Sequence, residues 1–66
     1  MSKYDWSNVP SDVKWIATDD NGKAYGFDCK PYINKNWISL YQGFQRALAI
    51  QPFVGEIIDS LEERPK

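Results

Sequence analysis

"WIATDDNGKAYGF", residues Trp15 to Phe27, decides how this chain folds. Asp19, Asp20, Asn21 and Gly22 read either as oxygen ligands around a cation or as a turn. The turn explains all four. Asp at the first position of a type I turn, Asn at the third and a left-handed Gly at the end form a three-residue loop closed by a G1 bulge. That loop pairs Thr18 with Ala24, Ala17 with Tyr25, Ile16 with Gly26 and Trp15 with Phe27. One face then holds Val13, Trp15, Ala17, Tyr25, Phe27 and Cys29, which is the expected core, while Ile16, Ala24 and Gly26 fall on the other. The competing two-residue Asn-Gly loop slips the register by one and puts the bulky residues of the two strands on opposite faces, so burial disfavours it.

The cation reading fails on spacing. A calcium loop needs oxygen ligands at alternate positions over about twelve residues with a closing Glu, and "DDNGKAYGFDCK" has a strand where those ligands belong. With no His and one Cys, the chain offers no zinc or other transition-metal set. Neither a metal nor a cofactor is expected.

Outward from the hairpin (about 13–18 and 23–29), residues 3–7 read as an extended arm or short strand whose Trp6 folds onto the apolar face. Residues 10–12, starting at Pro10, read as a turn. "CKPYINKN" reads as a loop. Residues 37–50 are ambiguous: Trp37, Leu40, Tyr41, Phe44, Ala47 and Leu48 make a helical stripe, yet Gln42-Gly43 suits the turn of a second hairpin. Val54, Ile57, Ile58 and Leu61, with acids early, Arg64 late and Pro65 beyond, predict a C-terminal helix over about 54–63. The expected fold is α+β: a small antiparallel sheet built on the hairpin plus that helix, in one domain spanning 1–66.

A chain of 66 residues buries only about 60% of its unfolded surface, so its core is thin and leans on large side chains. Three Trp, four Tyr and three Phe supply them. A lone cysteine and a start, "MSKYDWSNVP", without a basic and apolar leader point to the cytoplasm. No apolar run approaches the ~20 residues that cross a bilayer. A net charge of −1 gives no electrostatic footprint for nucleic acid.

Catalytic chemistry is equally thin. Without His, the side chain best poised for proton transfer near neutral pH is missing, and Cys29 has no activating partner. Its glycines are isolated, so no phosphate-cradling loop forms. The expectation is a protein that is not an enzyme. The aromatic surplus instead suggests a contact surface. Trp15, Tyr25, Phe27 and Trp37 are assigned to the core; Tyr4, Tyr32 and Tyr41, near loops and element edges, and Ile16, on the second hairpin face, are the candidate partner-binding residues.

Pro10 followed by "DVKWIATDDNGKAYGF", then Lys30-Pro31 and a C-terminal "DSLEERP" from Asp59 to Pro65, resembles a class of short phage and prophage proteins of uncharacterised function. Ile58 stands where such proteins often carry Trp. The resemblance implies strands in residues 37–50 and an accessory role in phage biology. The hairpin stretch is also similar to part of the small uracil-DNA glycosylase inhibitor family of phi29-like phages, which blocks a host enzyme by imitating DNA. Together these suggest a non-catalytic accessory protein that binds and modulates a host or phage protein in the host cytoplasm. Two rivals stand beside it: a single-stranded nucleic-acid binder stacking bases on Trp15, Tyr25 and Phe27, and a self-assembling virion component, for which a homo-oligomer is expected.

Overall fold

A computed structural model describes residues 2–66. The hairpin forms in the bulged register. Strands β1 (Trp15–Thr18) and β2 (Ala24–Phe27) are antiparallel, with Trp15 opposite Phe27 and Thr18 opposite Ala24. The Gly22 amide donates to Asp19 O at 3.0 Å, the Asp19 amide donates to Lys23 O at 3.1 Å, and Gly22 takes φ 78°. Asn21 Oδ1 accepts from the Lys23 amide at 2.9 Å. The acidic and amide residues of the turn are thus employed in closing it.

Around this ribbon the regular structure is almost entirely β. The main sheet has the order β5-β2-β1-β6, where β5 is Gln45–Ala47 and β6 is Glu62–Glu63. A second, two-stranded sheet pairs β3 (Tyr32–Ile33) with β4 (Ile38–Ser39). Among the described residues, helix is confined to a single 3-10 turn, Ile57–Asp59.

Three expectations therefore change. The C-terminal helix over 54–63 is absent. Gly55 takes φ 150°, Val54 is 89% exposed, and the chain beyond the 3-10 turn pairs with β1 instead, Glu62 opposite Ile16 and Glu63 opposite Trp15. Residues 37–50 are neither a helix nor a self-contained hairpin, because β4 pairs back onto β3 while β5 joins the far side of β2. "CKPYINKN" is also more than a loop, since it supplies β3 and an Asn34 side chain whose Oδ1 accepts from the Asn36 and Trp37 amides. The fold is small and β-rich rather than α+β.

The core is also displaced. Trp15 and Phe27 do share a face, and Ala17 and Phe27 are fully buried there. The main cluster, however, lies on the opposite face: Tyr4, Val9, Val13, Ile16 and Ala24, with Trp6, Phe44, Leu48, Ile50 and Phe53 packed against it. Gly26 makes room for it, because the Val13 methyls and Leu48 occupy the space into which a side chain at 26 would project. Both faces of the ribbon are therefore covered, which its near-continuous apolar content demands. Trp37, assigned to the core from the sequence, is 56% exposed on the β3–β4 loop.

A buried polar relay joins the chain ends to the ribbon. The Phe53 amide donates to Thr18 Oγ1 at 3.0 Å, and Tyr4 Oη donates to Ser60 O at 2.7 Å. Since the Tyr4 proton goes to that carbonyl, the 2.8 Å contact between Tyr4 Oη and Thr18 Oγ1 is donated by Thr18. Ser60 Oγ accepts from the Thr18 amide at 2.9 Å and lies 2.6 Å from Ile57 O, to which it donates. Among the described residues, no buried side-chain polar atom lacks a partner.

Candidate surface cleft and aromatic pair

Segment 29–44 leaves the ribbon after Phe27 and is moored at both ends. Pro31 is buried at its start. At its end the Phe44 amide donates to Asp28 Oδ1 at 2.9 Å, and Gly43, at φ 83°, lies against the same carboxylate. Between these moorings Tyr32 pairs with Ser39 across the small sheet. Tyr41 lies in the bend that follows β4, two residues beyond Ser39. Their rings meet edge to face with centroids 4.8 Å apart, a favoured arrangement for aromatic pairs. Both stay open to solvent, Tyr32 at 62% and Tyr41 at 85%.

The pair borders a cleft of about 760 Å³, whose apolar wall includes Pro31, Tyr32, Ile33, Tyr41, Ile58 and Leu61. Its volume falls in the range of ligand clefts, roughly 300–1,000 Å³. Among the described residues, Lys30 is the one charged residue lining it. The Lys30 ammonium stands 5.5 Å from the centroid of the Trp15 ring, and the side chain is exposed. Half-buried Cys29 also lines the cleft, so it does not point into the core as its strand parity suggested.

Charge is segregated along the chain. From Cys29 to Ala49 the charged residues are Lys30, Lys35 and Arg46, and all nine acids lie outside that stretch. Arg46 bonds Asp12 at 3.3 Å. Lys35 lines a separate cleft of about 390 Å³ alongside Asp19, Asp20 and Glu56. Lys30 alone faces the aromatic cleft.

Of the four residues expected to meet a partner, the structure brings Tyr32 and Tyr41 together and buries the other two. Tyr4 is 5% exposed because its hydroxyl completes the polar relay, and Ile16 is fully buried under the arm that carries it. Burial pushes the Tyr4 phenol above its ordinary 10.0, against the opposing effect of the bonds to Thr18 and Ser60. Of the three rings expected to stack bases, Phe27 has no exposed surface, while Trp15 and Tyr25 are half-buried and the Tyr25 hydroxyl accepts from the Asn21 side-chain amide. Ile58 and Lys30 were missed as surface residues. Ile58 was placed on a helix that does not form, and Lys30 looked like one loop cation among several.

Among the described residues no cluster of metal-ligating side chains occurs, and no helix is long and apolar enough to cross a membrane. No family model matches the chain, and neither the curated proteins nor the solved structures contain a match to it.

Proposed function

We propose that this chain is a non-catalytic accessory protein of the phage or prophage type, which binds a host or phage protein and modulates it through the surface around Tyr32 and Tyr41. The observation that carries this reading is the exposed edge-to-face tyrosine pair at the mouth of an apolar cleft, held by moorings on both sides. Tyrosine is a preferred anchor of protein interfaces, since it offers a large apolar face and a polar tip with few rotatable bonds. Leaving two such rings in water gains the folded monomer little.

The phage assignment draws on the sequence resemblance at the hairpin and at "DSLEERP". Affinity capture from bacterial lysate tests the binding reading. A bound protein is expected with the wild-type chain and with a Val54→Ser control, and about 10-fold less with a Tyr32→Ala/Tyr41→Ala double variant. Equal capture by the double variant, or nothing retained above background by any form, overturns it.

A further inference from the structure

We infer that the cleft beside Tyr32 and Tyr41 takes a partner segment in which an apolar side chain is flanked by a carboxylate, the apolar group seating between Ile33, Tyr41, Ile58 and Leu61 and the carboxylate meeting Lys30. This inference rests on the protein-binding reading above and names the chemistry of the segment that is bound.

Charge selects the occupant. A single-stranded nucleic acid needs a row of cations to follow its phosphates, as well as rings to stack on. This face does not supply the row: Arg46 is paired with Asp12, and Lys35 stands with Asp19, Asp20 and Glu56 at another cleft. The Lys3 ammonium, at the Leu61 end, is bonded to the Leu61 carbonyl at 3.1 Å; what remains is the exposed ammonium of Lys30, which lines the cleft and has no hydrogen bond or ion pair among the described residues. One point cation beside apolar walls complements one carboxylate beside an apolar anchor. The same cation disfavours a Lys- or Arg-bearing segment by like-charge repulsion.

The Trp15 ring strengthens the match. It lies beneath the Lys30 ammonium at 5.5 Å and holds the charge near the cleft without neutralising it. A carboxylate arriving there meets a cation whose position is already restricted, so less side-chain freedom is lost on binding.

Three blocked heptapeptides test this on the intact chain, each carrying a central Phe flanked on both sides by Asp, by Asn or by Lys. Binding is followed through the backbone amide resonances of the ¹⁵N-labelled protein. The Asp peptide is expected to move the amides of Lys30, Tyr32, Tyr41 and Ile58, and to bind about 4-fold more tightly than the Asn peptide, the effect of one exposed ion pair. Lys30 is exposed, so Lys30→Glu keeps the fold and its amide dispersion; in that variant the Lys peptide is expected to bind more tightly than the Asp peptide.

Equal affinity for the Asp and Asn peptides, or movements confined to other residues, overturns the inference. Binding of oligothymidylate at the same amides, weakening steeply with salt, overturns it in favour of nucleic acid. Movement of these amides on raising the protein concentration alone overturns it in favour of a second copy. Loss of the carboxylate preference while Tyr41-dependent capture survives removes this inference and leaves the protein-binding reading standing; capture independent of Tyr32 and Tyr41 removes both.

Discussion

Gly22 and Gly43 both sit at positive φ, 78° and 83°, yet they differ in what surrounds them. Nothing lies within 4 Å of a Cβ built on Gly22, whereas one on Gly43 runs into the Asp28 carboxylate. Gly22→Ala is therefore expected to cost only the left-handed backbone penalty, about 1 kcal/mol. Gly43→Ala adds displacement of the Asp28 side chain and loss of its bond to the Phe44 amide, for about 3 kcal/mol in all. Urea denaturation of the two variants reads the difference directly. Gly22 was legible in the sequence because the turn is written within four neighbouring residues. The role of Gly43 was not, because its partner lies fifteen positions upstream. Tyr4 hides for the same reason: the groups it bonds are Thr18 and Ser60. Its phenol, raised above 10.0 by burial, keeps its proton in the folded chain at a pH where the unfolded chain has released it. The folded state then binds more protons, so this contribution to stability is constant below about pH 10 and falls as pH rises further. Tyr4→Phe is expected to cost about 1–2 kcal/mol at pH 7 by leaving the buried Ser60 carbonyl without its donor. The gap to wild type should narrow as pH rises above about 10 in urea titrations, and a gap that stays constant refutes the assignment.

At the scale of elements, the ribbon was legible and the C-terminal segment was not. Local turn chemistry and alternation specify a hairpin, so the register of β1 and β2 follows from residues that touch. The stripe Val54, Ile57, Ile58 and Leu61 has helical spacing, but only Ile57 of these is buried, and Val54 and Ile58 face solvent. Tertiary bonds override the period. Ser60 Oγ accepts from the Thr18 amide, Glu62 accepts from the Trp6 indole at 2.7 Å and from the Lys3 amide at 2.8 Å, and the Arg64 amide donates to Lys14 O at 2.8 Å. The Arg64 guanidinium then reaches Val13 O at 2.8 Å and Pro10 O at 2.6 Å while stacking over the Trp6 ring. The C-terminal stretch from Ser60 to Arg64 is therefore the closing seam of this sheet. An ammonium cannot reproduce the planar fork or the stacking, so Arg64→Lys is expected to lose about 2 kcal/mol. Ser60→Ala strands the buried Thr18 amide at a cost of about 1–3 kcal/mol. Thermal melts of both, beside an exposed Glu63→Gln control that leaves stability unchanged, measure the seam.

For the whole molecule, the seam means that the two ends of the chain hold the middle. The N-terminal arm delivers Tyr4 and Trp6, the C-terminal strand delivers Ser60, Glu62 and Arg64, and the ribbon lies between them. So small a chain has no second core to fall back on, because its apolar surface is shared out over both faces of one ribbon. The exposed rings were partly legible for a related reason: aromatics near element edges were expected to stay outside, and Tyr32 and Tyr41 do, whereas Tyr4 is drawn in by distant partners. Removing residues 60–66 takes away the acceptor of the Tyr4 proton, both carboxylate bonds of Glu62 and the guanidinium over Trp6 at once. The expected outcome is loss of the entire cooperative unfolding transition and of amide dispersion, including at the Asp19–Lys23 turn, rather than fraying of β6 alone. Bonds that span more than fifty residues also delay folding until the ends meet, which places the full chain in the slow, milliseconds-to-seconds range of β proteins. Stopped-flow refolding of the full chain, together with amide spectra of the shortened one, tests both halves of this argument. A shortened chain that keeps the dispersed Gly22 and Thr18 resonances would show that the ribbon is stable without its seam.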